Sequence, residues 1–433
     1  MLPGNHARNG VFGTAPDCLY QGTGLTTFTR YHLGIIAPDT VVTDGGVDVL
    51  RKTPHRTVDA APSVLTCFSG AAAPEFPIRG DSVPHFVVHP DRHHQFGKPG
   101  ETFLLITQAD RAEEFTLAPG SRYRHTAVAT IEAGEPLDAV LGSARCPDSA
   151  DVFVVCPDRF VLSPEPAVLG PGRRLVVMPC GSTPVTDAQM GYFLTAVENT
   201  DPVALQIRAD RLFGALGATP YVWLTAAREG TSATFGISAD YEWNQQAGPL
   251  APGEQQIAPS GGASAMPAGL YRSGASRRLD LHGSITLLGA PIVHRGDDPA
   301  CVDEQAALHK DLDALRESPV ILTLADGLVT DVRATAPAGK GAVAALHDLY
   351  EADESYRVLR EFGVGLNPVL RQQPGNCGLN EMFGATNGVV HLGFGLTPRT
   401  RYALTFTCVD TVMTDAEGNT LAGPVPRRRG RPA

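Results

Sequence analysis

Short apolar runs separated by turn residues are the feature that most restricts how this chain can fold. In the first half, TFLLITQ, DVFVVCPD and RRLVVMPCG are rich in Val, Leu and Phe and are bounded by Gly, Pro and Asp. Runs of this length predict buried β-strands. The segments STPVTDAQMGYFLTAVENTD and DPVALQIRADRLFGAL carry Thr or Asp caps and apolar residues at helical spacing, which predicts helices. Strands that alternate with helices indicate an α/β domain.

The second half has a different pattern, which predicts a curved, mostly antiparallel sheet. YVWLTAA, GTSATFGIS, SITLLGAPIV and SPVILTLADGLVTDVRA are alternating or short apolar runs, and ADGLV is typical of a hairpin turn. Between these runs and the next ones, GKGAVAALHDLYEADESYRVLREFG predicts one strong helix, because Ala342, Leu346, Leu349 and Tyr350 share a face. The predicted fold class is therefore an N-terminal α/β domain followed by an α+β domain.

The chain has 433 residues, enough for two domains with sizeable cores. The sequence predicts a mobile N-terminus at residues 1–15, an α/β domain at 16–219, the antiparallel domain at 220–425 and a basic flexible tail at 426–433.

Charge, apolar content and cysteine usage narrow the class of protein. The net charge of −11 argues against a general nucleic-acid binder. No apolar run approaches the roughly 20 residues that span a bilayer, and the first residues lack the apolar core of a signal peptide. Eight scattered cysteines without a CxxC pair are typical of reduced thiols. We therefore predict a cytoplasmic protein without a membrane or nucleic-acid partner.

Several fragments of the second half occur in an order that resembles a known family. They are GTSATF, GPLAPGEQQIAPSGGASAMPAG, LADGLVTDV, REFGVGLNP, NEMFGATNGVVHLGFG and TCVDTVMTD. Over roughly residues 220–420 this order is similar to the M29 aminopeptidases, the aminopeptidase T family, whose fold is shared by a dihydroxypyridine ring-cleaving dioxygenase. The resemblance implies an M29-like domain and a dimeric assembly.

The resemblance also implies a metal site, which this chain keeps only in part. The family's metal-binding glutamate in a Pro-Ser-Gly-Glu turn corresponds to Gly262, in PSGG. A second glutamate is kept as Glu361, and the histidine of the His-Leu-x-x-Gly type segment is kept as His391. The closing His-x-Asp pair becomes Cys408 and Asp410. One ligand is therefore lost and one is exchanged.

The first hypothesis is a degenerate peptidase, a pseudoenzyme without a metal cofactor that uses the old cleft to bind a peptide or a partner. Such a protein is similar in type to the accessory proteins of crocagin-like ribosomal peptide biosynthesis, so a precursor peptide is one expected ligand. Trp223, Tyr241 and Trp243 are the aromatic candidates for the cleft, although core packing is the default for such residues. His391 could equally be a buried structural histidine, and Cys408 could pack as a small hydrophobic residue.

The alternative hypothesis is an enzyme with one zinc or iron ion. Glu361, His391, Cys408 and Asp410 could form one tetrahedral site, and Glu381 is the candidate general base. The enzyme would be a hydrolase or, less favoured, an oxygenase, because iron sites for ring cleavage favour two histidines and a carboxylate. A third hypothesis is a partner subunit, acting as a homodimer or as a heterodimer with a related chain.

Two other motifs do not predict sites. Four histidines fall in PHFVVHPDRHHQFGKPG, but its proline would interrupt a helix, so a solvated loop or strand end is expected. GPGRR is too short to be a phosphate-binding loop.

Overall fold

The computed structural model describes residues 29–31, 85–159, 161, 163–179, 185–226, 230–268, 278–289, 291–294, 302–377, 379–380, 388–395 and 400–424. All of them belong to one contact unit, which is made of Met1–Ile35 and His85–Ala433. Glu381 lies outside the described residues.

The strands, in chain order, are β1 (Thr29–Tyr31), β2 (Phe86–Val88), β3 (Thr102–Gln108), β4 (Phe115–Leu117), β5 (His125–Ile131), β6 (Asp151–Val155), β7 (Arg174–Val177), β8 (Tyr221–Ala226), β9 (Ser232–Gly236), β10 (Tyr241–Gln246), β11 (Gln255–Ile257), β12 (Gly262–Pro267), β13 (Leu281–Leu287), β14 (Pro291–His294), β15 (Val320–Ala325), β16 (Leu328–Ala334), β17 (Leu359–Gly365), β18 (Val390–Phe394), β19 (Ala403–Cys408), β20 (Thr411–Thr414) and β21 (Thr420–Ala422).

The α-helices are α1 (Leu137–Leu141), α2 (Pro166–Leu169), α3 (Asp187–Asn199), α4 (Pro202–Leu216), α5 (Val302–Leu312) and α6 (Lys340–Ala352). Short 3-10 helices cover Pro90–Arg92, His94–Phe96, Ala109–Glu114, Asp313–Arg316, Pro337–Gly339 and Glu354–Arg357. The two helices predicted after RRLVVMPCG are confirmed as α3 and α4, and α3 begins with a capping box between Thr186 and Gln189. The helix predicted in GKGAVAALHDLYEADESYRVLREFG is confirmed as α6 up to Ala352. Its predicted C-terminal part is wrong, because a 3-10 turn follows and LREFG belongs to strand β17.

The N-terminal part is built on a parallel sheet, which confirms the predicted α/β architecture. Its 5 strands lie in the order β5-β3-β6-β7-β11, and every neighbouring pair is parallel. The apolar runs TFLLITQ, DVFVVCPD and RRLVVMPCG contain β3, β6 and β7. One face packs on α3 through residues such as Phe193, and the other packs on α1 through residues such as Val140. Both faces are buried, so these strands are almost continuously apolar.

β2 and β4 form a separate two-stranded parallel sheet. The other strands form two antiparallel sheets of 7 strands each, which confirms the predicted antiparallel architecture. The first, here called the site sheet, has the order β1-β10-β12-β17-β18-β19-β14. The second has the order β16-β15-β13-β9-β8-β20-β21. Their inner faces contribute to one hydrophobic core, where the rings of Phe235 and Phe362 stack with centroids 4.1 Å apart. The hairpin turn predicted in ADGLV is confirmed, with Asp326 and Gly327 at positive φ between β15 and β16.

One short strand connects the parallel sheet with the antiparallel part. β11 lies between β10 and β12 in the chain, yet it pairs with β7, while β10 and β12 pair with each other. The domain boundary at residue 220 stays a prediction. Among the described residues, no helix is both long and apolar enough to cross a membrane.

Candidate functional site

Two of the predicted ligand residues lie side by side on the site sheet. In the antiparallel pair of β17 and β18, Glu361 is opposite Gly393 and Gly363 is opposite His391. Directly opposed residues share a face of the sheet, and residues two apart on one strand do so as well. Glu361 and His391 therefore project from the same face, here called the site face. Their closest side-chain atoms, Oε1 and Nε2, are 3.8 Å apart.

Gly363 determines where the imidazole of His391 lies. A Cβ atom built on Gly363 would stand 2.0 Å from Nε2 of His391, a distance that no real contact allows. The ring thus lies over strand β17, in the space that the side chain of any residue other than glycine at position 363 would occupy. This places Nε2 next to Glu361, which is two residues away on the same face.

Small residues continue the site face on both sides of this pair. Gly262 at the start of β12 is opposite Gly365, and Ser264 is opposite Gly363. Gly262, which stands where the family resemblance expects a glutamate, therefore shares the face of Glu361 and His391. Glycine within a strand often marks a close approach by a ligand or by another backbone.

Cys408 lies on the opposite face of the same sheet. It pairs with Val390, whereas His391 pairs with Thr407. The thiol is fully buried in the core between the two antiparallel sheets. Burial raises the pKa of the Cys408 thiol, and the negative charge of Asp410 raises it further. Because a metal is bound by the thiolate, this environment suits a packed hydrophobic residue.

The structure thus brings together two of the four residues in the predicted metal set. Glu361 and His391 converge on the site face, and Cys408 points away from them. Asp410 lies in the turn that joins β19 to β20, close enough to Cys408 to affect its pKa.

The three aromatic candidates for the cleft lie in different places. Trp243 is buried in the core, where its ring meets Phe213 edge-on at 5.6 Å, so core packing is the structural outcome here. Tyr241 is on the same strand, and its hydroxyl accepts a hydrogen bond from the backbone N–H of Asp280. Burial raises the pKa of Tyr241 to about 12. Trp223 belongs to the second antiparallel sheet and is 45% exposed.

A different group of three residues could hold a metal ion. Potential ligand atoms of Asp280, His282 and Asp326, all exposed, lie within 4.8 Å of one another, and this is the one such group among the described residues. However, Nδ1 of His282 accepts the N–H of Asp326, so the neutral ring carries its proton on Nε2, which lies 2.8 Å from Asp280. A metal on Nε2 would require that proton to move to Nδ1, facing another N–H. Arg278 also donates to the Asp326 carboxylate.

The glycines of the site face were missed by the sequence analysis, although their spacing was a usable signal. EFGVG and HLGFG each place glycines two and four positions after a ligand-type residue. Because alternate residues of a strand share a face, the ligand-type residue and the two glycines that follow it lie on one face of the sheet. The pattern could therefore have indicated a glycine-lined surface beside Glu361 and His391.

Comparison with known proteins gives distant similarities of fold. No protein-family model matches the chain. No curated protein matches it either. A solved structure of 2,5-dihydroxypyridine dioxygenase from Pseudomonas putida KT2440 is similar with a TM-score of 0.45 and 13% identity, covering 76% of this chain and 93% of that one. Wild-type AmpT from Thermus thermophilus is similar with a TM-score of 0.37 and 12% identity, covering 78% of this chain and 95% of that one.

Proposed function

We propose that this protein binds a peptide over the site face and does not act as an ordinary aminopeptidase. The observation that carries the proposal is the pairing of Glu361 and His391 on a glycine-lined face from which Cys408 points away. The two side chains are mostly buried, with exposed fractions of 19% for Glu361 and 9% for His391. They can therefore take part in recognition with little screening by solvent.

The chemistry of these groups suits the amino-terminal end of a peptide. The Glu361 carboxylate is an acceptor for a terminal ammonium group, and such charge-assisted hydrogen bonds are about twice as strong as neutral ones. His391 can donate to a peptide carbonyl or accept from an N–H. The glycines beside them allow a peptide backbone to approach the sheet closely.

The same residues are poorly equipped for co-catalytic hydrolysis. A two-metal site needs carboxylates that bridge and terminate two cations about 3.5–4 Å apart. Gly262 supplies no ligand on the site face, and the buried Cys408 thiol is on the other face. Within the described part of the chain, the one group of three candidate ligands lies at the start of β13 and in the turn between β15 and β16, away from the site face.

Glu361→Gln is expected to weaken peptide binding about 10-fold or more, because the amide cannot form an ion pair with the terminal ammonium. The measurement is calorimetric titration with a set of short peptides that have free amino termini. The same peptides in N-acetylated form should bind wild-type protein as weakly as the variant binds the free ones.

The matched control is Cys408→Ala, which alters the other face of the same sheet and should leave peptide affinity unchanged. Equal affinity of wild type and Glu361→Gln for every peptide would contradict the proposal. So would rapid release of amino acids from these peptides by the wild-type protein. A precursor peptide of a natural-product pathway is a further candidate ligand, and a related chain is a candidate partner.

A single-metal hydrolase is the second candidate function, and one distance favours it. The 3.8 Å between Nε2 of His391 and Oε1 of Glu361 is too long for a hydrogen bond. Two ligand atoms of a tetrahedral zinc site, with bonds of about 2.0–2.1 Å, are separated by about 3.3 Å. A small shift would therefore let both residues hold one ion, and Asp410 is the remaining candidate ligand in the predicted set.

Metal content distinguishes the two candidate functions. If the protein is a binding module, elemental analysis of untagged protein purified without chelator should give well below one zinc or iron per chain. A stoichiometric metal that is lost in His391→Gln and kept in Cys408→Ala would favour the single-metal enzyme instead. Loss of metal in Cys408→Ala would contradict the assignment of Cys408 to the core face.

A further inference from the structure

A row of residues crosses the site face at right angles to its strands. Read from β10 to β19, the row consists of Asn244, Ser264, Gly363, His391 and Thr407. Each residue is directly opposite the next in the antiparallel register, so all of them project from the same face of the sheet. The imidazole of His391 lies over Gly363, so its ring is displaced along the row toward Ser264.

Two polar side chains at one end of this row lack a hydrogen-bond partner in the protein. Ser264 is 9% exposed, and Asn244 is half-buried. Within the described part of the chain, neither side chain donates or accepts a hydrogen bond. A buried polar group without a partner is costly, and nearly all such groups in proteins are hydrogen-bonded. The buried Ser264 hydroxyl is therefore a group that a ligand on the site face can satisfy.

The other end of the row is closed by the chain itself. Thr407 is 1% exposed. A Cβ atom built on Gly289 would stand 2.1 Å from Oγ1 of Thr407, so the backbone at Gly289 lies directly against that side chain. A ligand held by Glu361 and His391 therefore cannot continue over β19. The open direction leads over β17 and β12 to β10.

The floor beside the row leaves room for a peptide backbone. On β12 the neighbours of Ser264 on the site face are Gly262 and Met266. Gly262 is opposite Gly365, so neither strand carries a side chain on that side of the row, and a backbone can approach the sheet closely there. From β17 to β10 is two strand spacings, about 9–10 Å, which an extended peptide of three residues spans at about 3.3 Å per residue.

We propose that this row binds the backbone of a short peptide that crosses the strands. The first carbonyl group of the peptide lies at His391, the peptide group of its second residue at Ser264 and that of its third residue at Asn244. The inference rests on the proposed function and adds to it a direction and a minimum length, that of a tripeptide. Serine and asparagine side chains can both donate to a carbonyl group and accept from an N–H, so the row recognises backbone groups instead of particular side chains.

A nested set of ligands tests the length. The full chain is titrated calorimetrically with alanine amide and with the amides of di-, tri- and tetra-alanine, all with free amino termini. Each residue up to the tripeptide should strengthen binding about fivefold, the effect of one additional hydrogen bond. The tetrapeptide should bind as the tripeptide does, because the row ends at β10.

Two variants test the position of each residue in the row. Ser264→Ala should weaken the dipeptide and the tripeptide about fivefold and leave the affinity for alanine amide unchanged. Asn244→Ala should weaken the tripeptide and leave the dipeptide and alanine amide unchanged. The matched control is Ser232→Ala, which removes the hydroxyl of an exposed serine on β9 in the second antiparallel sheet and should change none of the affinities.

The outcomes separate this inference from the proposed function. If tri-alanine amide binds wild type no more tightly than alanine amide does, while Glu361→Gln still weakens both, the row is wrong and the proposed function stands. If Ser264→Ala weakens alanine amide as much as the tripeptide, the position assigned to Ser264 is wrong. Absence of binding by every ligand of the series would overturn both proposals.

Discussion

Arg173→Met is expected to lower the stability of the protein by about 3 kcal/mol, seen as a fall of roughly 3–4 °C in the midpoint of thermal unfolding of a chain this long. The guanidinium of Arg173 is buried and donates to four carbonyl oxygens, those of Cys146, Pro147, Val168 and Leu169. These hydrogen bonds connect the loop before β6 and helix α2 to Arg173, which directly precedes β7. Methionine fills much of the same volume but leaves these carbonyl groups without their donor.

Two further variants separate the hydrogen bonds from charge alone. Arg173→Lys keeps the charge but loses the planar fork of donors, so it should recover only a small part of the stability. Arg92→Met removes an exposed arginine that pairs with Glu198, and its effect should be below about 1 kcal/mol. If Arg173→Met unfolded within a degree of wild type, the carbonyl groups would have found other partners and the assigned role would be wrong.

His93→Leu is expected to make the protein less sensitive to mild acid. His93 is 1% exposed and its ring lies among Phe96, Phe103 and Phe153, the last with centroids 4.4 Å apart. Burial, together with the smaller effects of His94, His89 and Arg122, lowers the pKa of His93 from 6.5 to about 3.

The sign of the effect follows from where the proton binds. Above pH 6.5 the histidine is neutral in both the folded and the unfolded chain, and it contributes no pH dependence. As the pH falls below 6.5, the unfolded chain takes up a proton that the folded chain refuses until about pH 3. Stability is then lost at about 1.4 kcal/mol per pH unit, or about 2 kcal/mol by pH 5.

The measurement compares thermal midpoints of wild type and His93→Leu at about pH 7.5 and about pH 5. The variant should lose less stability on acidification, by about 2 kcal/mol. His347→Leu, which removes an exposed histidine on α6, should show no such difference. A gap between wild type and His93→Leu that is the same at both pH values would contradict the assignment.

The elements of this fold were predictable where the signal is local. The apolar runs that contain β3, β6 and β7 form buried strands, and the capped segments form α3 and α4, because length, apolar spacing and capping residues act within a few positions. The four residues expected on one face of α6, Ala342, Leu346, Leu349 and Tyr350, are all buried. Non-local pairing was not readable in this way, as the parallel partner of β11 illustrates.

The candidate site was predictable in its residue types and not in its geometry. Glu361 and His391 do meet, but the expectation for Cys408 depended on which face of β19 it occupies. That face depends on the register of β19 against β18, which no local signal determines. His93 shows the same limit. The sequence predicted a solvated loop around it, while packing among three phenylalanines buries it.

The route of the chain through β10, β11 and β12 has a consequence for how the protein can be divided. A fragment ending at residue 219 would keep β3, β5, β6 and β7 but would lack β11, which completes the parallel sheet beside β7. The edge of β7 would then be open, next to the apolar residues Leu175, Val176 and Val177. Proteolysis or gene truncation near residue 220 would therefore release an aggregation-prone fragment with an open strand edge, not an independently folding module. The segments before and after residue 220 therefore depend on each other to complete the parallel sheet.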